Sequence, residues 1–364
     1  SAASDVYKRQ ILPAGERDQL SLVIADSNDP ESLDAMVART SVICSTVGPY
    51  ARYGTPLVAA CAASGTDYCD LTGEVQWMAR VIPEYVEQAR DSGARIVHTC
   101  GFDSIPSDMG TWFLQQQMID RSGVPAARVK ARVGRNRGAA SGGTVASMIN
   151  LMEEARSDPS IRKLVGDPYA LFPRGVAPGQ DKPDQQGIRF DPDFHQWTAP
   201  FVMAVVNTRV VRRTNALLDF AWGEDFRYDE AVLCRSRFRA RQLALATGVG
   251  MAAMALGPTR KLATRFLPSP GEGPNRKQRE AGFYEIFFYG VHPTSRDDDV
   301  LVKVTGDMDP GYGSTSKMLG EAAACLAHDK LKVKGGFWTP ASAMGSSLLE
   351  RLTLRAGLTF EIVK

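Results

Sequence analysis

Residues 41–74 read SVICSTVGPYARYGTPLVAACAASGTDYCDLTGE, and they decide the fold that the sequence predicts. Val42 to Val47 is a short apolar run typical of a buried strand, and a Gly-Pro-Tyr turn follows it. Thr55-Pro56 begins a helix that stops at Gly65, and Asp67 to Leu71 is the next strand-like run. Strand, single helix and strand over this length predict a parallel β-α-β unit with a right-handed crossover.

The same alternation extends on both sides of this stretch. Upstream, Ser21 to Ala25 is an apolar run of strand type, and Asp29 with Pro30 begins a helix. Downstream, Arg95 to Cys100 is a fourth strand, and Ser107 caps the helix after it. The sequence therefore predicts an α/β protein with a Rossmann-type parallel sheet in residues 20–122.

The residues before Leu20 do not continue this pattern. The first ten, SAASDVYKRQ, show no helical or strand period. A Rossmann-type domain opens with a β-α-β unit of about thirty residues that carries a glycine-rich phosphate loop. We therefore expect residues 1–19 to be a non-native or disordered leader, and the parallel sheet to be truncated at its N-terminal end.

Composition narrows the class of protein. The chain has 364 residues, and its 43 basic and 41 acidic residues give a net charge of +2, which does not favour a nucleic-acid partner. Six cysteines without a CxxC pair argue against a zinc site or a disulfide framework, so we expect no metal. No signal peptide is visible, and we expect a cytoplasmic protein.

Ligands of open α/β sheets lie beyond the carboxyl ends of the strands. The expected cofactor-binding residues there are Asp26, Thr46, Val47, Gly48, Pro49, Tyr50, Gly101 and Phe102. Catalytic residues stay unassigned, but the carboxylates of Asp70, Glu74 and Asp103 are placed to anchor a substrate or transfer a proton. Alternatively, each of these residues serves only turn or cap geometry.

His98 and Cys100 alternate along the fourth predicted strand and so share a face, as a nucleophile pair would. The residues around them are apolar. We therefore favour a pair that is simply buried.

The second half of the chain predicts an α+β domain, residues 123–334, for substrate binding or dimerisation. Strands are expected at Val129 to Val133, Phe201 to Val211, Arg227 to Leu233, Phe283 to Val291 and Val300 to Thr305, the last two as a hairpin. Helices are expected after Gly142-Gly143-Thr144, at Tyr312 to Ala327 and at Ala341 to Leu354. Ser160 to Asp193 is rich in Pro, Gly and Asp and predicts a long loop.

Residues 243–258, LALATGVGMAAMALGP, carry no charge, and Arg260, Lys261 and Arg265 follow them. The segment is short for a membrane span, so we favour a buried helix. The alternative is a helix that makes peripheral contact with a membrane and admits acyl substrates.

Three segments resemble the saccharopine dehydrogenase-like NAD(P)-binding oxidoreductases, and within them the trans-acting enoyl reductases. They are STVGPYARYGTPLVAACAASGTDYCDLTGE (45–74), GARIVHTCGFDSIPSDMG (93–110) and GGFWTPASAMG (335–345). The resemblance implies NADP or NAD as cofactor, and reduction of an enoyl or imine-type double bond in a lipid-related or amino-acid-like substrate. It also implies that Ser141, Gly142, Gly143 and Thr144, which we group with Ser104 as substrate-binding residues, face the substrate or the nicotinamide; the alternative is an ordinary Ser/Gly-capped helix. The resemblance further implies that residues 335–364 return to the first domain as a C-terminal helix.

A function of another class stays open beside this one. A relative without the phosphate-binding unit could serve as a non-catalytic dimerisation or lipid-binding module. The expected partners are a small-molecule or acyl substrate and a second copy of the chain as a homodimer.

Overall fold

The computed structural model describes residues 21–138, 142–179, 181–255 and 273–363. Its strands are β1 (Val42–Ser45), β2 (Asp67–Asp70), β3 (Arg95–Val97), β4 (Arg128–Arg137), β5 (Arg189–Asp191), β6 (Gln196–Ala199), β7 (Arg227–Cys234), β8 (Phe283–Val291), β9 (Val300–Gly306), β10 (Gly336–Trp338) and β11 (Leu358–Ile362). Its helices are α1 (Pro30–Val37), α2 (Tyr50–Ser64), α3 (Val75–Ser92), α4 (Ile105–Ser122), α5 (Gly142–Ser157), α6 (Pro159–Gly166), α7 (Ala204–Leu217), α8 (Arg237–Ala255), α9 (Arg276–Glu280), α10 (Gly313–His328) and α11 (Pro340–Leu354).

The first sheet is parallel throughout, with the strand order β1-β2-β3-β10. One face packs on α1, α2 and α3 through a core that includes Leu33, Val58 and Trp77. The other face packs on α4, α10 and α11 through Met109, Met318 and other apolar side chains. A parallel sheet with helices on both faces is the Rossmann-type arrangement that the alternating sequence pattern predicts, and it is confirmed.

The second sheet is mixed and runs in the order β11-β9-β8-β4-β7-β6-β5, with β4 and β7 as its parallel pair. The predicted hairpin is confirmed, because β8 and β9 pair antiparallel. Helix α4 packs against this sheet as well as against the first one. A Cβ atom on Gly110 of α4 would lie 2.5 Å from the Phe288 ring, so the close approach of helix and sheet depends on a residue without a side chain.

The C-terminal segment joins the two sheets. Strand β10 extends the parallel sheet beside β3, and α11 packs on α4 and α10. Strand β11 then pairs with β9 in the mixed sheet, which was not expected from the sequence. The residues after 335 therefore contribute a strand to each sheet and hold the two halves of the molecule together.

Helix α7 replaces a predicted strand. The predicted strand at Phe201 to Val211 is wrong, since Ala204–Leu217 is helical and almost wholly buried. Arg212 of this helix donates to Asp181 Oδ2 at 2.8 Å. Arg213 donates to the carbonyl oxygens of Leu171 and Phe337, and burial, with the charge of Arg90, lowers the pKa of its guanidinium to about 10. These contacts satisfy the buried cations.

Two other expectations need correction. Ser21 to Ala25 forms no strand, and Leu22 and Ile24 are 55% and 88% exposed. No strand in the described part of the chain pairs with this run, so its backbone groups form no ladder. Ser160 to Asp193 is not wholly a loop, because α6 reaches into it and β5 ends it.

The expected buried helix at 243–258 is a helix as far as residue 255, and 256–258 lie outside the described residues. The prediction that it is buried is wrong: Leu245 and Val249 are 69% and 58% exposed. No helix in the described part of the chain is long and apolar enough to cross a bilayer.

Candidate functional site at the carboxyl ends of the parallel strands

The first three strands end at the same edge of the parallel sheet. Cys44 lies opposite Cys69, and Cys69 lies opposite Val97, so the loops that follow β1, β2 and β3 leave the sheet side by side. The loop after β2 lies between the other two, which are therefore about 10 Å apart, or two strand spacings. The expectation that Val47 to Tyr50 and Gly101 to Ser104 occupy the same edge is confirmed.

Asp70, at the end of β2, connects its own loop with the loop after β3. Its Oδ1 accepts hydrogen bonds from the backbone N–H groups of Thr72 (3.1 Å) and Thr99 (3.2 Å). Its Oδ2 accepts from His98 Nδ1 at 2.8 Å, and its backbone oxygen accepts from Cys100 N at 2.7 Å. The side chain is fully buried, so these donors replace water around the carboxylate.

His98 and Cys100 do not share a strand face, because β3 ends at Val97 and Thr99 has a φ of +62°. The interpretation of a buried pair fits better than that of a nucleophile pair. Burial raises the pKa of the Cys100 thiol well above its ordinary value, which disfavours the reactive thiolate. His98 lies against the rings of Trp77 and Phe337, and its Nε2 has no hydrogen-bond partner in the described structure.

Glu74 caps the helix that follows β1. Its two carboxylate oxygens accept from Tyr50 N at 2.7 Å and from Ala51 N at 3.0 Å, the first two N–H groups of α2. The Ser147 hydroxyl donates to the same carboxylate at 2.7 Å. Burial raises the pKa of Glu74 above its ordinary value. These contacts give Glu74 a clear structural task, while its predicted part in catalysis stays a prediction.

Asp103 lies at the start of the turn into α4 and is only 9% exposed. Burial raises its pKa to about 8, and the charge of Asp70 adds to that rise, although Gly101 N–H donates to its Oδ2 at 3.3 Å and opposes the change. Asp103 is therefore mostly protonated at pH 7, which is the state that a proton donor needs.

The turn after β3 is also bound to the second half of the chain. Phe102 N donates to Thr315 Oγ1 at 3.0 Å, and its ring meets the Tyr284 ring edge-on. Ser104 Oγ lies 3.1 Å from Asn207 Oδ1 on α7. Asn207 Nδ2 in turn donates to Glu230 on β7 at 2.9 Å.

Helix α5 brings the predicted substrate residues beside this edge. Gly142, Gly143 and Thr144 form its first turn, and Ser147, one turn later, reaches Glu74. Ser141 lies outside the described residues. Arg52 of α2 donates to Asn150 Oδ1 at 2.7 Å, so α5 lies along the beginning of α2.

The other predicted cofactor residues fall into two groups. In the loop after β1, Thr46 and Val47 are exposed and Gly48 and Pro49 are half-buried, and Tyr50, the first residue of α2, is buried. Asp26 lies in an exposed turn before α1, where its Oδ1 accepts from Asn28 N at 2.9 Å. It does not follow a strand, so the argument that placed it at the sheet edge fails.

Sequence reasoning missed Ser147, Asn207 and Glu230. Each comes from an element distant in the chain, and each is an ordinary polar residue within a helix or strand. The signal for Asn207 and Glu230 was their place in largely buried segments, where polar side chains need partners; Ser147, on a half-buried helix, gave none.

The edge fits part of a dinucleotide. Thr46 and Val47 leave an open surface at the end of β1, where a nicotinamide and its ribose could lie. The pyrophosphate would need free backbone N–H groups at a helix N-terminus. Those of α2 donate to Glu74, and Gly101 N and Phe102 N donate to Asp103 and Thr315. Neither the beginning of α2 nor the turn after β3 therefore offers these N–H groups to a pyrophosphate.

If Glu74 anchors α2, its replacement by alanine leaves two buried N–H groups and the Ser147 hydroxyl without an acceptor. We expect Glu74→Ala, which removes the acceptor of three hydrogen bonds, to lower the free energy of unfolding by about 2–3 kcal/mol, and Ser147→Ala, which removes one, by about 1 kcal/mol. Urea unfolding measures both. Equal losses in the two variants would show that the carboxylate does not cap α2.

Comparison with known proteins supplies the family. No family model matches the chain. Among solved structures, saccharopine dehydrogenase (L-Glu forming) from Saccharomyces cerevisiae aligns over 95% of this chain and 89% of its own, with a TM-score of 0.47 and 11% identity. That likeness is too weak to support an inference.

Sequence relatives are much closer. The trans-acting enoyl reductases of Mycobacterium ulcerans and Mycobacterium bovis are 42% and 41% identical to this chain; each alignment covers 91% of the chain and 82% of the relative. A Mycobacterium tuberculosis protein provisionally named for the same activity is 44% identical, over 94% of the chain and 85% of its own length. This chain is an oxidoreductase that belongs to the trans-acting enoyl reductase family.

Proposed function

We propose that the protein reduces the enoyl double bond of an acyl substrate with NADPH or NADH in the cytoplasm, at the carboxyl edge of the parallel sheet. The observation that carries the proposal is the buried carboxyl of Asp103 at that edge, in a chain whose relatives are enoyl reductases. The six free cysteines fit a reducing compartment.

Reduction of a carbon–carbon double bond consumes one hydride and one proton. The nicotinamide supplies the hydride, and the chain's own residues position the substrate and supply the proton. Asp103 holds a proton on its carboxyl at neutral pH. Ser104 and the first turn of α5, with Gly142 to Thr144, would face the acyl group, and the loop from Thr46 to Tyr50 together with Gly101 and Phe102 would line the nicotinamide end.

The cofactor has a direct test. A glycine-rich β-α-β unit of the Rossmann type, placed ahead of Leu20, should supply free N–H groups for the pyrophosphate, which α2 and the turn after β3 do not offer. We expect the extended chain to bind NADPH or NADH at least about ten-fold more tightly than the chain of 364 residues. Calorimetric titration of both forms measures this, and equal affinities would contradict the proposed cofactor site.

The role of Asp103 as proton donor can be tested separately, in whichever form of the protein binds the cofactor. Because Asp103 loses its proton near pH 8, reduction of an enoyl thioester should decline as the pH rises through that value. Asp103→Asn should lower kcat by about 10²–10⁴-fold and remove this decline, since an amide does not titrate in that range.

Asp120→Asn is the matched control, because Asp120 is exposed at the other end of α4. It should leave both the rate and the pH profile unchanged. Unaltered kcat in Asp103→Asn would assign the proton to another group, and no reduction with either nicotinamide would contradict the function itself.

A further inference from the structure

Helix α8 presents an apolar row to solvent. It rests on the protein through Ala240 and Met254, which are buried. Phe238, Leu245 and Val249, spaced by seven and four residues, lie on the opposite side and are 67%, 69% and 58% exposed. Large apolar side chains aligned on the outer side of a helix form a contact surface that lacks its partner. We call these three side chains the α8 face.

Arginines surround the α8 face, and no acidic side chain of the described residues pairs with them. Arg235, Arg237, Arg239 and Arg241 are all exposed, and none forms an ion pair within the described part of the chain. Arg237 lies over the Trp197 ring at 5.2 Å, and Arg239 contacts Gln242. Helix α8 itself contains no acidic residue.

The sequence extends this charge pattern. Between Glu230 and Glu272 the chain has seven basic residues and no acidic one, whereas the whole chain has a net charge of only +2. The positive charge is thus concentrated in the segment that carries the α8 face, and acidic residues outnumber basic ones elsewhere. A surface that combines exposed apolar side chains with unpaired arginines fits an anionic partner with an apolar interior.

We propose that the α8 face docks on an anionic lipid membrane, with Phe238, Leu245 and Val249 entering the interfacial region and the arginines contacting the lipid phosphates. The helix lies in the membrane plane and does not cross the bilayer. The inference rests on α8 alone and does not depend on the proposed reaction.

A second copy of this chain fits the α8 face less well. A two-fold contact sets the same patch of both subunits together, so the interface would collect the positive charges of both copies with no acid on α8 to neutralise them. A membrane that contains anionic lipid offers the opposite charge over its whole surface.

The α8 face is connected to the candidate site through helix α5. Helix α8 packs against β6, β7 and α5. Helix α5 begins with Gly142 and contacts Glu74 through Ser147 at the edge of the parallel sheet. A membrane on the α8 face would therefore lie on the outer side of a helix that packs on α5, the helix that begins with predicted substrate residues.

Vesicle flotation with the full chain tests the proposal. We expect binding to vesicles of equal parts phosphatidylcholine and phosphatidylglycerol, little binding to pure phosphatidylcholine, and release at high salt. The double variant Leu245→Glu/Val249→Glu should bind at least about ten-fold less, because it replaces two apolar contacts with charges. Leu354→Glu, which alters another highly exposed leucine, on α11, should bind like the parent chain.

A second pair of variants isolates the charge. Arg239→Gln/Arg241→Gln should reduce binding to the anionic vesicles, whereas Arg162→Gln/Lys163→Gln, which removes two exposed cations of α6, should reduce it much less. Equal thermal unfolding temperatures would show that the variants fold. The proposal is overturned if the parent chain does not float with the anionic vesicles, or if Leu245→Glu/Val249→Glu floats as well as the parent chain. It is also overturned if the parent chain forms a dimer in solution that this variant abolishes, because the α8 face would then bind a second copy.

Discussion

The organisation of the candidate site depends on one buried carboxylate, that of Asp70. It accepts hydrogen bonds from Thr72 N, Thr99 N and His98 Nδ1, and its backbone oxygen accepts from Cys100 N. A buried carboxylate requires such donors, since it has no water to solvate it. The loops after β2 and β3 therefore have fixed positions relative to each other, and α4, which starts at the end of the second loop, inherits that position.

The fixed position of the loop after β3 also determines how the second half of the chain packs, because α4 begins in this loop. Helix α4 packs on both sheets, and Asp108 in its first turn accepts a hydrogen bond from Ala341 N of α11 at 2.8 Å. Burial raises the pKa of Asp108 to about 7. Phe102 and Ser104 connect the same turn to α10 and α7. Residues from both sheets thus surround the place where we propose that the acyl substrate binds.

Much of the parallel sheet could be predicted, because β1, β2 and β3 are apolar runs between capped helices, and burial on both faces makes such runs conspicuous. The errors have physical causes. Leu22 to Ile24 are apolar yet exposed, since no strand in residues 21–363 as described pairs with them and strand propensity alone forms no ladder. Val206, Val210 and Val211 are β-branched yet helical, because their spacing of four and one residues buries them on α7, where tertiary packing outweighs propensity.

The location of the candidate site could be predicted from the sequence, but only some of its residues could. Parallel topology places Asp70, Asp103 and the loop after β1 at one edge, whatever the details of packing. It does not reveal that Glu74 caps α2 from 24 residues away, or that Ser147 and Asn207 arrive from helices of the second half of the chain. Contacts between distant residues depend on the relative placement of the two sheets, which local patterns do not encode.

The most direct test of the account is amide hydrogen exchange in the parent chain and in Asp70→Ala. The account predicts that Thr72 and Thr99 lose protection by about ten-fold or more relative to Cys100, whose N–H bonds the Asp70 backbone oxygen that the variant keeps. The ratio to Cys100 corrects for any general loss of stability. Unchanged protection of Thr72 and Thr99 relative to Cys100 would contradict the claim that this carboxylate holds the strand ends together.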